Sequence, residues 1–355
     1  MKAKSFYTRL TKWEHWPTIL YYFPLLPFFI LRSIKAKHPF FYLTTNPGIL
    51  FSGNGTESKY KTLSLVPEVY RPKSILVLKT DNYQSTLKKI NQQQLEFPII
   101  AKPDIGFRGY LVKKIETQEV LKNYIENVNE DIILQEYIPY KKELGIFYYR
   151  IPGEKKGKTT SITIKKFITV EADGKSTLSE LIKNDKRAFL YLDLFKNIHK
   201  EKMNVINKKG LKITLSTIGN HSKGTEFING NHLINSDLER IVDQICHQID
   251  GWYYGRLDIK YKDFENLLEG KNFKILEVNG IISEPTHIYD ATDKNASFFN
   301  ALKTINQHWD IMSTIAVKNH KVYGVPYPKM YPYIKNMLWL RSHTQKLKKL
   351  NKMAF

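Results

Sequence analysis

Two short stretches, Gly255-Arg256-Leu257-Asp258 and Leu276-Glu277-Val278-Asn279, carry the strongest signal in this 355-residue sequence. Each joins apolar residues of a predicted strand to charged or amide side chains. Glu277 and Asn279 are two residues apart, so a strand directs both to one face, and Asp258 lies opposite them if the strands pair. The three oxygen ligands would then converge and suit Mg²⁺ better than zinc. The alternative interpretation of the same residues is a cluster of polar side chains across the two strands, with no metal bound.

A second pattern would place positive charge beside open backbone. A predicted buried strand ends at Lys102 and runs into a loop with Gly106 and Gly109, whose N–H groups approach phosphate oxygens without an obstructing Cβ. Arg256 would lie beside the metal ligands, where its planar charge suits a transferring phosphoryl group or an acyl-phosphate oxyanion. An ordinary strand-turn-strand also fits the loop. Neither a Walker A motif nor a dinucleotide fingerprint is present in the sequence.

A third pattern is an apolar strand that stops at Pro139 and is followed by Glu143. Backbone groups at such a hinge would contact an adenine edge, and the carboxylate would bind ribose hydroxyls. An edge strand with solvated glutamates is the alternative. The hinge residues are Gln135, Glu136, Tyr137 and Ile138.

A fourth pattern is the polar loop from Gly219 to Thr225. It would hold Asn220, His221 and Lys223 over phosphates or over an acceptor substrate, or it would form a plain turn. No histidine pairs with a serine and a carboxylate as in a triad, and Ser222 lacks the context of a nucleophile elbow. A hydrolytic triad is therefore not predicted.

Taken in order along the chain, these motifs resemble the ATP-grasp superfamily over about residues 96–290. They are most similar to the D-alanine:D-alanine ligases and to the glutamate-adding and cyanophycin-synthetase branches, which Ala172-Asp173-Gly174-Lys175-Ser176-Thr177-Leu178 also matches. The resemblance implies an α+β fold in which two α+β lobes clamp ATP. It also implies an ATP-dependent carboxylate–amine ligase that forms an acyl phosphate and releases ADP and phosphate.

The resemblance assigns roles to particular residues. ATP phosphates would contact Lys102 and either Lys165 or Lys166, and Arg256 would contact the transferred phosphate. Adenine would bind along the hinge, and ribose at Glu143. Two Mg²⁺ ions, with Mn²⁺ as a substitute, would be held by Asp258, Glu277 and Asn279.

Two departures from the family pattern leave the substrates open. After Asn279 the chain reads Gly280-Ile281-Ile282-Ser283-Glu284-Pro285-Thr286-His287, where the D-alanine ligases have a loop of small residues with a proline. A short aromatic segment also replaces the usual α/β amino-terminal domain. A nucleotide-binding protein without catalysis is one alternative function. A phosphotransferase, which would release ADP without needing an amine, is another.

Composition predicts the setting and the partners. The net charge is +21 and there is a single cysteine, which favours a polyanion partner and a cytoplasmic protein. No nucleic-acid-binding signature appears, so nucleotides or an anionic membrane are the expected partners. The uncharged stretch WPTILYYFPLLPFFIL at 16–31 is interrupted by prolines and is not expected to span a bilayer. It either packs on the core or rests on a membrane, where a lipid-linked substrate would explain it.

Four regions are predicted along the chain: an aromatic, proline-broken segment at 1–75, two ATP-grasp lobes at 76–140 and 141–300, and a helical basic tail at 301–355. The last lobe would hold the metal site. Strands are predicted at 75–78, 98–102, 110–114, 132–137, 161–170, 211–218, 252–260 and 273–279. Helices are predicted at 117–128, where Thr117 would cap the first turn, and at 176–185 and 235–250, with 84–94 either helical or a loop.

Overall fold

The computed structural model describes residues 13, 16, 18–290, 292–294 and 296–354. Residues 1–12 of the predicted first segment lie outside these described residues. Within the described part of the chain, no helix is long and apolar enough to cross a membrane.

The chain folds into antiparallel sheets flanked by helices. The strands are β1 (Ser74–Val77), β2 (Ile99–Pro103), β3 (Lys113–Ile115), β4 (Ile132–Glu136), β5 (Lys142–Tyr149), β6 (Lys158–Lys166), β7 (Thr169–Glu171), β8 (Lys212–Thr214), β9 (Glu226–Asn229), β10 (Tyr254–Tyr261) and β11 (Phe273–Asn279). The helices are α1 (Thr18–Tyr22), α2 (Leu26–Ala36), α3 (Lys59–Ser64), α4 (Tyr83–Gln92), α5 (Gln118–Asn127), α6 (Leu178–Asn184), α7 (Leu192–Ile198), α8 (Ser236–Cys246), α9 (Phe264–Leu268), α10 (Phe298–Tyr323) and α11 (Met330–Ala354).

The first sheet has the strand order β1-β4-β2-β3 and is antiparallel throughout. Along β2, Ile99 and Ala101 are fully buried in a core that also contains Leu121 of α5 and Ile90 of α4. Because side chains alternate on a strand, Lys102 points away from this core. The pleat of β2 thus directs the lysine predicted from the sequence into the cavity described below.

The second sheet has the order β11-β10-β5-β6-β9, again antiparallel. Helix α8 covers one face with Leu238, Ile241, Val242 and Ile245, which recur at the three- and four-residue spacing of an amphipathic helix. The opposite face of β10 carries Arg256 and Asp258, whose side chains line the cavity between the two sheets. A separate small core surrounds the β7–β8 pair and the helices α6 and α7.

The amino-terminal segment has two faces. Tyr21 and Leu25 are buried against Ile305 and neighbouring residues of α10, whereas Phe23 and Leu31 remain 69% and 63% exposed. Pro24 and Pro27 lie at the starts of a 3-10 turn and of α2, where their missing N–H groups cost nothing. The two alternatives for this segment therefore do not exclude each other, since packing uses only one face.

The α+β class predicted from the sequence is confirmed, and most predicted elements agree with the structure. Strand 273–279 agrees residue for residue, and Thr117 caps α5 as predicted. The strand predicted at 110–114 is wrong over most of its length, because Arg108, Gly109 and Leu111 adopt positive φ angles that a strand excludes. Strand 211–218 shortens to β8, and 161–170 divides into β6 and β7. The four-region division stays a prediction.

Candidate active site

A cavity of about 2000 Å³ opens between the two sheets. It exceeds the roughly 300–1,000 Å³ of ordinary ligand pockets, so a nucleotide and a second molecule would fit together. Residues from all four sequence motifs line it, including Lys102, Gln135, Lys223, Asp258 and Glu277. The fold thus brings together motifs that lie far apart in the chain.

The oxygen ligands lie on two paired strands. Asp258 of β10 is directly opposite Glu277 of β11, and Arg256 is opposite Asn279, as the spacing predicts. The Nδ2 of Asn279 lies 3.4 Å from an oxygen of Asp258. The antiparallel register therefore forms a compact group of two carboxylates and one amide at the end of the strands.

Positive charges surround Asp258. Its carboxylate accepts from Arg256 Nε at 2.9 Å and forms an ion pair with Lys165 Nζ at 3.2 Å. Burial alone would raise the pKa of Asp258, but the charges of Arg256 and Lys165 outweigh it and hold the pKa well below its usual range. Gly145 of β5 leaves room for this pair, since a Cβ there would lie 3.0 Å from Arg256 Cδ. Asp258 therefore stays ionised at neutral pH.

The structure distinguishes the two lysines that the resemblance left open. The side chain of Lys165 is 4% exposed, and its Nζ lies 2.6 Å from Glu143 in the cavity. Lys166 is 68% exposed and pairs with Glu226 instead. Neighbouring residues on a strand point to opposite faces, so only one of the two can reach the cavity. Lys166 therefore lies at the surface, and of the two lysines only Lys165 remains a candidate for contact with a phosphate.

Lys102 is a partly buried cation with few partners. Its Nζ donates to Gln135 Oε1 at 3.1 Å and to the Leu276 carbonyl at 3.3 Å. Burial, and then the nearby charge of Lys59, lower the pKa of Lys102 from 10.5 to about 7. A phosphate in the cavity would supply the negative charge that this ammonium lacks.

Lys59 is a further cation in the cavity, and the sequence motifs do not include it. It begins α3, and its Nζ forms an ion pair with Glu277. Its backbone N–H donates to the Asp104 carbonyl at 3.2 Å, and Asp104 also accepts from the Ser58 hydroxyl. These contacts fix Lys59 between the glycine loop and the acidic group. The only local signal is Ser58, which caps α3 by accepting from the Lys61 N–H.

The glycine loop meets the polar loop across the cavity. Gly109 has a φ of +68°, and the position of a Cβ on it would lie 3.7 Å from Lys223 Cε. Lys223 is mostly buried, with its ammonium 5.2 Å from the centre of the Tyr110 ring, and burial lowers its pKa. Asn220 accepts from the Ser222 N–H and so shapes the turn that carries Lys223. Gly106 also lines the cavity.

The hinge residues play unequal parts. Gln135 is 3% exposed and donates to Ser74 while its oxygen accepts from Lys102. Glu136 turns back to accept from the Lys73 N–H at 3.0 Å. Tyr137 lies under the Lys114 ammonium at 4.5 Å, and Ile138 is buried. A flat ligand at this hinge would therefore meet an aromatic ring and apolar carbon.

The other end of the cavity is aromatic and is not predicted by the motifs. The carboxylate of Glu284 accepts from the Tyr289 hydroxyl at 2.6 Å and from the Tyr22 hydroxyl. Tyr22 in turn stacks on Trp309, with ring centres 5.7 Å apart. Burial raises the pKa of Glu284 above its usual range. Because Arg256 Nη1 lies 3.4 Å from the Glu284 carbonyl, this aromatic end adjoins the charged end.

The donor set suits a magnesium ion. Among the residues that the structure describes, no group of three His, Cys, Asp or Glu side chains could hold a metal ion, and the candidate set contains an amide as its third member. Two carboxylates and an amide are what Mg²⁺ accepts when waters and phosphate oxygens complete its shell. The ion pair between Lys59 and Glu277 would have to open for that ion to bind.

Comparison with known proteins agrees with this geometry. Residues 56–152 match the sequence model of the RimK-like ATP-grasp domain. Within this range the chain is similar to an ATP-grasp domain. The resemblance stated from the motifs is thereby confirmed. The matched range contains Lys59, Lys102 and Glu143, whereas the candidate site residues of β10 and β11 lie beyond it.

Solved structures with similarity to this chain include one synthetase and two ligases. The bifunctional glutathione synthetase from Pasteurella multocida is 14% identical (TM-score 0.38), the match covering 69% of this chain and 35% of that one. The VanG D-Ala:D-Ser ligase from Enterococcus faecalis is 17% identical (TM-score 0.41), and the match covers 73% of this chain and 61% of that one. The D-alanine–D-alanine ligase from Bacillus anthracis is 13% identical (TM-score 0.42), covering 75% and 69%. This chain thus spans about a third and three-fifths of the first two proteins. No curated protein sequence matches it.

Proposed function

We propose that this protein is an ATP-dependent ligase that joins a carboxylate to an amine and releases ADP and phosphate. The observation that carries the proposal is the facing pair Asp258 and Glu277, with Arg256 beside it, in the same cavity as Lys102 and Lys165. This arrangement combines ligands for a hard cation with fixed positive charges. Phosphoryl transfer depends on both.

The nucleotide would lie between the two sheets. Lys102, Lys165 and Lys223 offer ammonium groups to its phosphates, and the loop with Gly106 and Gly109 offers backbone N–H groups. Adenine would lie along the hinge. Ribose would reach Glu143, whose oxygen bonds Lys165 at 2.6 Å.

Magnesium would be held by Asp258, Glu277 and Asn279, with two ions expected and Mn²⁺ as a substitute. When bound, it would neutralise charge on phosphate oxygens. The chain's own contribution is Arg256, which is fixed by Asp258 and stabilises the charge that develops on the phosphoryl oxygens.

The reaction would occur in two steps. A substrate carboxylate oxygen attacks the γ-phosphorus of ATP, the bond to the β-phosphate oxygen breaks, and ADP leaves with that electron pair. An amine nitrogen then attacks the acyl carbon of the acyl phosphate, phosphate departs, and the amine loses a proton. The aromatic end around Glu284, Tyr22 and Tyr289 adjoins Arg256 and would exclude water from the acyl phosphate.

The test is ATP consumption with Mg²⁺ and pooled carboxylic acids and amines, with products resolved by mass spectrometry. ADP that forms only when both an acid and an amine are present, together with a condensed mass, is the expected result. ADP formation with an acid or alcohol alone and a phosphorylated product would instead indicate a phosphotransferase. ATP binding without turnover on any pool would favour a noncatalytic nucleotide-binding protein.

Matched lysine variants make the test specific to the site. Lys165→Met should remove turnover, whereas Lys166→Met, one residue further along β6, should leave it within about twofold because its side chain faces solvent. Thermal unfolding of both variants separates a loss of chemistry from a loss of folding. Equal loss in the two variants would contradict the assignment of Lys165.

A further inference from the structure

We propose that α1, α2 and the first half of α11 form a surface that docks on an anionic lipid membrane. We call it the basic apolar face and define it by the exposed apolar residues of these helices. On α1, the following 3-10 turn and α2 these are Leu20, Phe23, Ile30, Leu31 and Ile34, which are between 49% and 69% exposed. With Leu26, which is 47% exposed, Leu20, Phe23, Ile30 and Ile34 recur every three or four residues and so lie on one side of the segment, where Leu31 adjoins Ile30.

The segment that exposes these apolar residues is held in place by its other side. On the opposite side, Tyr21 and Leu25 are buried against α10, and Tyr22 stacks on Trp309. Arg32 Nη2 donates to the Asn306 carbonyl at 3.0 Å. The inner side is thus fixed by packing and hydrogen bonds, and the apolar side faces outward as a defined surface.

Helix α11 extends the same surface. Its first half exposes Tyr331 at 75%, Ile334 at 45% and Leu338 at 64%, again at helical spacing. Its start is joined to the end of α2 by Tyr327, whose hydroxyl donates to the Ala36 carbonyl at 3.1 Å and whose ring stacks on His38. Exposed apolar side chains at helical spacing on two neighbouring helices are unusual on a monomeric soluble protein and indicate an interaction site.

The charge of these segments indicates which kind of partner would cover the basic apolar face. Residues 15–56 and 311–355 contain twelve lysines and arginines and no aspartate or glutamate. They therefore hold twelve of the net +21 charges in about a quarter of the chain. Lys35 and Lys37 are exposed at the end of α2, and Lys335 and Arg341 are exposed on α11.

A membrane with acidic headgroups fits this composition better than a second copy of the chain. Apolar side chains would enter the interface while each nearby lysine or arginine is attracted by the anionic surface. Two copies that met through this face would bring like charges together, since each copy exposes Lys35, Lys37, Lys335 and Arg341 there. Docking would lay the helices on the bilayer, since no described helix is long and apolar enough to cross it.

The test is flotation of the full chain, without ATP, on vesicles of phosphatidylcholine alone and of phosphatidylcholine with about one-third phosphatidylglycerol. Binding to the anionic vesicles that weakens with salt is expected. The triple variant Phe23→Glu, Leu31→Glu, Ile34→Glu should lower the bound fraction at least about tenfold. A matched triple, Val69→Glu, Ile206→Glu, Leu211→Glu, changes comparably exposed apolar residues elsewhere and should bind as the parent does.

Several outcomes would overturn the proposal. These are no binding to either vesicle, equal loss in both triple variants, or equal binding to neutral and anionic vesicles. Concentration-dependent dimers that only the first triple abolishes would make a second copy the occupant. Thermal unfolding and ATP affinity of each variant confirm that the fold is retained. Because the readout needs no turnover, it stands apart from the proposed ligase activity.

Discussion

At one end of the cavity, charged side chains stand on paired strands, whereas at the other end aromatic side chains come from helices and a 3-10 turn. Asp258 and Glu277 are set by the register of β10 and β11. Glu284, Tyr22 and Trp309 meet through tertiary packing alone. Under the proposed function, the first end would serve the constant reactant, ATP, and the second would serve the acid and the amine that this protein would join.

The largest effect is expected at the charged end. Replacing Arg256 by Met, or Glu277 by Gln, should lower the rate of ADP formation by on the order of 10²–10³, since each removes fixed charge from the phosphoryl group or its metal. Steady-state ADP release measures the effect. Glu226→Gln is the matched control, because that carboxylate pairs with the exposed Lys166. A rate within twofold of the parent in Glu277→Gln would remove Glu277 from the site.

A pH titration tests Lys102 at the same end. Its pKa is lowered to about 7, so above pH 7 the free protein loses this positive charge. Bound phosphate favours the charged form, so ATP binding should take up a proton, and the dissociation constant should rise by up to about tenfold per pH unit. Below pH 7 this group adds no pH dependence. Calorimetry in buffers of different ionisation enthalpy measures the uptake.

The variant Lys102→Met provides the control for that titration. It should bind ATP more weakly, with no proton uptake and a flat profile across neutral pH. If the parent protein itself shows a flat profile, Lys102 does not meet the phosphates as a titrating group.

Lys59 offers a smaller, opposite effect. Lys59→Met frees Glu277 from its ion pair and removes a positive charge beside the cation ligands. Without ATP, Mn²⁺ should then bind about three- to tenfold more tightly, as measured by electron paramagnetic resonance. Lys61→Met, two residues along α3, is the control. Weaker Mn²⁺ binding in Lys59→Met would mean that this lysine supports the cation site instead of competing with it.

The smallest effect is expected at the aromatic end. Tyr22→Phe removes one hydroxyl from Glu284 but keeps the ring that stacks on Trp309. The KM for the acid or amine should rise roughly two- to fivefold, with the KM for ATP unchanged. Tyr331→Phe, on an exposed ring, should change neither. An equal rise in both KM values would show that Tyr22 supports the whole cavity, and the contrast between its two ends would fail.

Sequence patterns predict the two ends to different degrees. Strand 273–279 and the Thr117 cap depend on neighbouring residues, and so does the facing of Asp258 and Glu277 once two adjacent strands pair. The pair Lys59–Glu277 spans 218 residues, and Tyr22–Glu284 spans 262. No local pattern encodes contacts at such separations, because they depend on how whole elements pack.

The same limit explains the errors in the predicted strands. The apolar residues within 110–114 favour a strand, but the loop around Gly109 has positive φ angles. The strand therefore begins only at Lys113, as β3. Strand β5 is absent from the prediction, although its neighbours β6 and β10 are predicted in part. Burial on both faces of β5 removes the alternation by which a strand is usually recognised.

Helix α11 connects the first sheet to the rest of the molecule, as does the chain segment 137–141 between β4 and β5. Near its start, the Tyr333 hydroxyl lies 3.2 Å from that of Tyr42. Near its end, Leu347 is buried in the core of the first sheet, and Asn351 accepts from the Leu111 N–H at 2.8 Å. Besides its chain connections, the first sheet is therefore held to the rest of the molecule by α11. We expect a displacement at the start of this helix to be transmitted to Leu111, beside the glycine loop.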